Sequence, residues 1–219
     1  MFKNFDWGVI ERALPFLLEG MQLTLELTVV AILGGILFGT LLALCRLSPF
    51  RAVSFAAGSY VNFFRSMPLI LVIFWFYFLV PALVGRPIGG FYSVLIAFVM
   101  FEAAYYCEII RAGIQSVSRG QIMAGSALGL TYGQSMKEIV LPQAFRNMIP
   151  VLLTQSIIMF QDTSLVYVVG LKDFLTSADL VATRDNRVVE LYMTIAVVYF
   201  VMCLGGSLLV RRLQRKYTI

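Results

Sequence analysis

Histidine is absent from this chain of 219 residues. Without imidazole there is no side chain that ordinarily titrates near neutrality, and the commonest metal ligand is missing, so His-based acid–base and metal chemistry are excluded. Charge is scarce too: 13% of residues are Asp, Glu, Lys or Arg, about half the usual share of a soluble domain. The three cysteines, Cys45, Cys107 and Cys203, lie in or at the ends of apolar runs with no paired spacing. They read as small hydrophobes rather than as a disulfide framework or a metal set. No Walker P-loop occurs, so the chain cannot couple ATP by itself, and no cluster of metal ligands takes its place.

What is abundant is apolar surface. Hydrophobic residues make up 60% of the chain and mean hydropathy is +0.87, values that belong to lipid rather than water. About twenty apolar residues cross a bilayer core. On that measure the spans fall at 23–44, roughly 59–79, 91–110, 149–169 and 191–210. The second is interrupted by Arg65 and Pro68, which places its membrane helix near Met67 behind a short entry segment. The first begins too late and lacks a small-residue cleavage pattern, so it is expected to anchor rather than to be removed. The doublets Gly34–Gly35, Gly89–Gly90 and Gly205–Gly206 suit helix contacts or turns rather than cofactor loops. The expected fold is an all-α membrane protein of about five transmembrane helices, a single domain over residues 1–219.

Orientation follows from the loops. Arg46, Arg51, Arg65, Arg111, Arg119, Lys137, Arg146, Arg211, Arg212, Arg215 and Lys216 fall on one face. Lys3, Arg12, Arg86, Lys172, Arg184 and Arg187 fall on the other, interspersed with acids: eleven bases against six. The basic excess marks the cytosol, so the N-terminus is expected outside and the C-terminus inside. This topology accounts for the net charge of +5 without any nucleic-acid partner.

Residues 111–150 stand out as a basic loop between apolar runs, with Arg111, Arg119, Lys137 and Arg146 against the single acid Glu138. It reads as two short amphipathic segments, 121–130 and 134–139, broken by Gly129, Gly133 and Pro142. A structured loop of this size on the cytosolic face is expected to dock a partner.

Ionisable groups inside the spans are costly in lipid and must face protein or water. Glu26, Glu102, Glu108 and Asp162 are the acids, with Arg65 the nearby base. Gln155 and Asp162 share a helical face around Met159. Glu19, Gln22 and Glu26 form a similar stripe, and Glu108 with Arg111 has the spacing of a local ion pair. Asp162, followed by Thr163 and Ser164, reads either as a pathway residue or as a cap within a broken helix. Arg65 divides between electrostatics toward a substrate and a cap or snorkel at a kinked entry. Glu102 with Tyr105 and Tyr106 offers polar groups for packing between helices.

Four blocks in order carry a resemblance: Phe64-Arg-Ser-Met-Pro68; Glu102-Ala-Ala-Tyr-Tyr-Cys-Glu-Ile-Ile-Arg-Ala-Gly-Ile-Gln115; Gly120-Gln-Ile-Met-Ala-Gly-Ser-Ala-Leu-Gly129 continuing to Ile139-Val-Leu-Pro-Gln-Ala-Phe-Arg146; and Phe160-Gln-Asp-Thr-Ser-Leu-Val-Tyr167. Together they resemble permeases of binding-protein-dependent ABC importers, in the branch for polar amino acids. The resemblance implies a second permease subunit, homologous or identical, two cytosolic ATP-binding subunits that hold ATP and Mg, and a periplasmic binding protein delivering the amino acid. This chain itself would hold no cofactor. The resemblance further implies that the loop around 124–141 sits in a groove of the ATPase, with Gly129 allowing the turn between its segments and Pro142 ending the second. The family signature usually begins Glu-Ala-Ala, whereas Met123-Ala124-Gly125 stands here, so a Glu contact to the ATPase does not carry over. Arg119 or Lys137 is the expected substitute, beside Ala124, Gly125, Gly129, Leu141 and Pro142. Within that frame, glutamate or aspartate is the expected substrate, with basic or neutral amino acids as the alternative. Arg65 is the expected cation, Asn62, Gln155, Thr163 and Ser164 the neutral partners, and Asp162 an ammonium holder or a partner for Arg65.

Overall fold

The computed structural model describes residues 5–217; Lys3 and the side chain of Lys216, both counted among the bases above, lie outside it. The described residues form an all-α bundle. Its helices are α1 (Trp7–Arg46), α2 (Arg51–Arg65), α3 (Leu69–Val84), α4 (Gly90–Gln115), α5 (Arg119–Ala127), α6 (Tyr132–Val169), α7 (Phe174–Arg184) and α8 (Val188–Tyr217). Four of them, α1, α4, α6 and α8, are long and apolar enough to span a membrane. The bent pair α2–α3 makes a fifth span if counted as one.

α1 is longer than its apolar run. It begins at Trp7, where Asp6 caps Gly8 N–H at 2.9 Å, and continues through Pro15 for 40 residues, about 60 Å at 1.5 Å per residue. The extension 7–22 was not expected from the hydropathy. Its Glu11, Arg12 and Glu19 lie on the exposed side, while Val9, Ala13 and Leu17 bury against Phe174, Ala178, Val181, Leu191 and Ile195. α7 is a second correction, since the 170–190 connection was read as a loop. Asp173 caps this helix through Leu175 and Thr176 N–H at 3.1 Å, and its buried side closes over the start of α1.

The spine of the bundle is the α1–α4 contact. Ala31, Gly35, Gly39 and Ala43 are all buried at fourfold spacing. Such a stripe lets two backbones approach closely in lipid. A Cβ on Gly35 would stand 2.7 Å from Glu102 Cβ, and one on Gly39 would stand 2.9 Å from Ala103 O. Neither position has room for a side chain.

α2 and α3 meet at 105° across Ser66–Pro68, because proline disfavours helical backbone in the residue before it. α2 buries Ala57, Val61 and Phe64 and is tied to α4 by Tyr60 Oη donating to Met100 O at 2.8 Å. Proline also explains two π turns. Trp75–Leu79 precedes Pro81, and Met136–Val140 precedes Pro142. In each, the N–H before the proline reaches back five residues, from Val80 to Trp75 and from Leu141 to Met136. The wider register absorbs the missing proline donor and lets the helix continue. Pro142 therefore does not end the second loop segment, as expected from sequence; that segment is the first turns of α6.

Candidate functional site

Glu108 organises one end of the bundle. It comes from α4 and meets three guanidiniums: Arg46 at the end of α1, Arg111 one turn on, and Arg65 at the end of α2. Arg111 grips it with Nη2 at 2.7 Å from Oε2 and Nε at 3.3 Å from Oε1. Arg65 Nη1 stays 3.8 Å from Oε2, and its guanidinium lies 5.4 Å from the Tyr105 ring centroid. Arg65 is also the most exposed of the four, at 43% against 17% for Glu108. Sequence spacing announced only the Glu108–Arg111 pair. Arg46 and Arg65 arrive from helices distant in sequence, and no local signal marks them. One carboxylate among three guanidiniums leaves a positive excess at this end.

Deeper in the bundle lies a second polar set. Glu102 is fully buried and accepts from Gln155 Nε2 at 2.9 Å, while its other oxygen has no hydrogen-bond partner among the described residues. One turn on, Tyr106 and Ser156 share a hydrogen bond of 3.2 Å between the same helices. Asp162, half-buried, carries no hydrogen bond or ion pair among the described residues. The α-helical part of α6 ends there and a 3-10 turn, Thr163–Val169, follows. Of the two readings of Asp162, the cap does not hold: its side chain makes no cap hydrogen bond among the described residues. Thr163 and Ser164 turn their hydroxyls onto the helix itself, to Phe160 O and Gln161 O.

The expected pathway residues thus divide. Asn62 and Arg65 lie at the exposed end of α2, whereas Gln155, Asp162, Thr163 and Ser164 line one stretch of α6. No Arg65–Asp162 ion pair forms among the described residues: Arg65 faces Glu108 from the end of α2, and Asp162 lies at the end of the α-helical part of α6. The Glu19, Gln22 and Glu26 stripe stays on the outer side of α1, where Gln22 donates to Glu26 at 2.7 Å.

The loop segments form a compact hook. α5 ends in a Schellman motif: Gly129 at φ +80° donates to Ser126 O, and Leu130 N–H reaches back to Gly125 O. Thr131 and Gln134 then cap α6 reciprocally. Gly125 is buried where α5 crosses α6; a Cβ there would stand 2.8 Å from Ile139 Cδ1 and 3.1 Å from Ser135 Oγ. Glycine in place of the usual alanine therefore has a packing reason. Arg119, Ala124, Lys137 and Pro142 are exposed, Leu141 half-buried, and Lys137 pairs only loosely with Glu138 at 3.8 Å. Between them Met123, Leu128 and Tyr132 expose large apolar side chains. Large exposed apolar side chains and exposed bases thus share this hook.

The model of the binding-protein-dependent transport system inner membrane component family matches residues 35–219. The glutamate/aspartate import permease protein GltK of Escherichia coli O157:H7 is 53% identical, over 97% of this chain and 98% of its own length. The arginine transport system permease protein ArtQ of Bacillus subtilis (strain 168) is 35% identical over 97% of each. A crystal structure of an amino acid ABC transporter with histidines superposes with a TM-score of 0.91 at 33% identity, covering 96% of this chain and 98% of that one. An apolar bundle with polar groups held inside it, matched along nearly its whole length, belongs to the binding-protein-dependent inner membrane components, the multi-pass permease subunits of bacterial ABC transporters.

Proposed function

We propose that this chain is a permease subunit of an importer that carries acidic amino acids, glutamate and aspartate, into the cytoplasm. The observation that carries the reading is Arg65: a guanidinium at the α2–α3 bend, with no hydrogen bond among the described residues, within a cluster of excess positive charge. A carboxylate entering a narrow passage needs such a fixed cation to replace its water. The glutamate/aspartate permease relative at 53% identity supports the same substrate class.

In this reading the N-terminus lies outside and the basic end of the bundle faces the cytosol. The α5–α6 hook over residues 111–150 docks on one of two ATP-binding subunits, which hold ATP and Mg. A second permease subunit completes the passage, and a periplasmic protein delivers the amino acid. Closure of the ATPases opens the helices outward, and hydrolysis returns them inward. Arg65 and Asn62 meet the substrate carboxylates, while Gln155, Thr163 and Ser164 supply neutral contacts and Asp162 faces the ammonium.

A second reading is favoured by the buried carboxylates. Neither Glu102 on α4 nor Asp162 on α6 pairs with a cation among the described residues, and a basic or neutral amino acid suits them through its ammonium groups. Uptake by the reconstituted complex decides between the two, using a panel of acidic, amide and basic amino acids. Competition by glutamate and aspartate alone supports the first; uptake of arginine or glutamine without glutamate overturns it.

A further inference from the structure

Arg65 and Glu108 are opposite charges that do not bond. Nη1 and Oε2 are 3.8 Å apart, beyond hydrogen-bond reach. The other arginines of the cluster leave little of Glu108 for Arg65: Arg111 takes both oxygens, and Arg46 contacts Oε1. Arg65 is held by Coulomb attraction and by the face of Tyr105. Its five N–H donors thus keep the planar fork available for a bidentate carboxylate. It also sits at the last residue of α2, directly before the 105° bend.

We propose that Glu108 is an exchangeable counter-ion for Arg65: a positioning residue that parks this guanidinium at the bend while no substrate carboxylate is present, and reclaims it to release one. This rests on the reading that acidic amino acids pass this subunit. Replacing one carboxylate by another at Arg65 keeps the guanidinium paired throughout, so release needs no step in which its charge stands alone. Arg46 and Arg111 keep Glu108 compensated while Arg65 is away. A lone glutamate facing a lone arginine lacks that property, so the three-to-one ratio in the cluster has a purpose in this scheme. The substrate's side chain therefore competes with a carboxylate of the protein, and the strength of that competitor sets how readily the substrate leaves.

The experiment uses the full complex in nanodiscs, with partner permease, ATPases and binding protein, and compares wild type with Glu108→Gln and Glu108→Asp. Removing the competitor is expected to tighten binding of labelled glutamate to the complex and to slow uptake per assembled complex, each by about threefold to fivefold, the range of one partly exposed charge contact. Glutamine binding, which lacks the side-chain carboxylate, is expected to change by less than about twofold. Glu108→Asp keeps the charge at a longer reach from Arg65 and should restore uptake only in part; if Glu108→Gln fails to assemble, this variant decides, because the weakened competitor still predicts tighter glutamate binding and slower uptake than wild type. A double-mutant cycle of Glu108→Gln with Arg65→Lys must show coupling for glutamate and none for glutamine. Unchanged glutamate affinity in an assembled variant, or equal shifts for glutamate and glutamine, overturns the inference. If wild type binds and carries no acidic amino acid, the substrate reading fails instead.

Discussion

Gln155 donates its side-chain amide to Glu102 at 2.9 Å, and the second oxygen of that fully buried carboxylate has no hydrogen-bond partner among the described residues. The bond joins α6 to α4 at the level where Glu102 also presses on Gly35 of α1. A half-satisfied carboxyl depends heavily on its one donor. Gln155→Leu is expected to destabilise the detergent-solubilised subunit by about 1–3 kcal/mol, read as a lower thermal midpoint. Glu102→Gln, which keeps the shape and can still accept, should cost far less. Equal midpoints for the two variants would show that the pair is not what joins these helices.

The same close packing makes the small-residue stripe of α1 intolerant. Gly39→Val would drive a side chain into Ala103 O and Tyr106 Cβ, at 2.9 and 2.8 Å even for the first carbon. Overpacking of this kind typically costs about 1–3 kcal/mol. Gly205→Val, where a Cβ meets nothing within 4 Å, serves as the control on a membrane helix of the same chain. Thermal unfolding of both variants in one detergent checks the contrast.

Coupling is expected to fail at the hook without loss of membrane insertion. Gly129 needs its positive φ, so Gly129→Trp adds both bulk and a left-handed penalty of about 1–2 kcal/mol. Gly129→Asn, which tolerates that conformation, should retain most activity. Gly125→Leu displaces α5 from Ile139 and Ser135 and should behave like Gly129→Trp. Substrate-stimulated ATP hydrolysis and co-purification of the ATPase report the effect; wild-type values in both bulky variants would remove the hook from the coupling route.

Topology is open to labelling from either side. Ser177 is a poor reporter, because it is buried with its hydroxyl on Lys172 O. Thr183 on α7 and Ser126 on α5 are exposed. With Cys45, Cys107 and Cys203 replaced, Thr183→Cys should react with an impermeant thiol reagent in intact cells and Ser126→Cys only after permeabilisation. Reaction of both in intact cells would contradict the proposed orientation.

How much of this could be read beforehand depends on how local each signal is. Hydropathy reports one residue at a time, so the apolar runs that became α1, α4, α6 and α8 were legible. The same averaging hid the start of α1, because Glu11, Arg12 and Glu19 on its outer side dilute the window while Val9, Ala13 and Leu17 do the packing. It also hid α7, a short amphipathic helix whose burying partner lay some 150 residues earlier. Pro142 misled for a related reason: a π turn can carry a helix into a proline, and that depends on the whole segment packing as one. At the site, Glu108 with Arg111 was readable at spacing three. Arg46 and Arg65 were not, since only the tertiary fold brings the ends of α1 and α2 to the same carboxylate. Gly125 was visible as a departure from pattern, and its reason lies entirely in the α5–α6 crossing.

Arg65 gives the sharpest test of substrate chemistry. Its contact with Glu108 is the longest and most exposed of the cluster, a pair worth less than about 1 kcal/mol to folding. Arg65→Ala should therefore leave assembly nearly intact while Arg46 and Arg111 still neutralise Glu108. If Arg65 meets the substrate, glutamate and aspartate uptake per assembled complex falls steeply in the same variant. Truncating a hydrogen-bonded charge partner in a desolvated site costs about 2–5 kcal/mol, enough to abolish measurable uptake. Arg65→Lys keeps the charge without the planar fork and should rescue only in part. If Arg65 merely closes the end of α2, Lys should substitute fully, and Ala should lower the yield of complex rather than its rate. Uptake normalised to assembled complex separates these outcomes. A normal glutamate rate in Arg65→Ala would move the substrate cation to the partner permease and leave this chain's share of the passage to Gln155, Asp162 and Thr163.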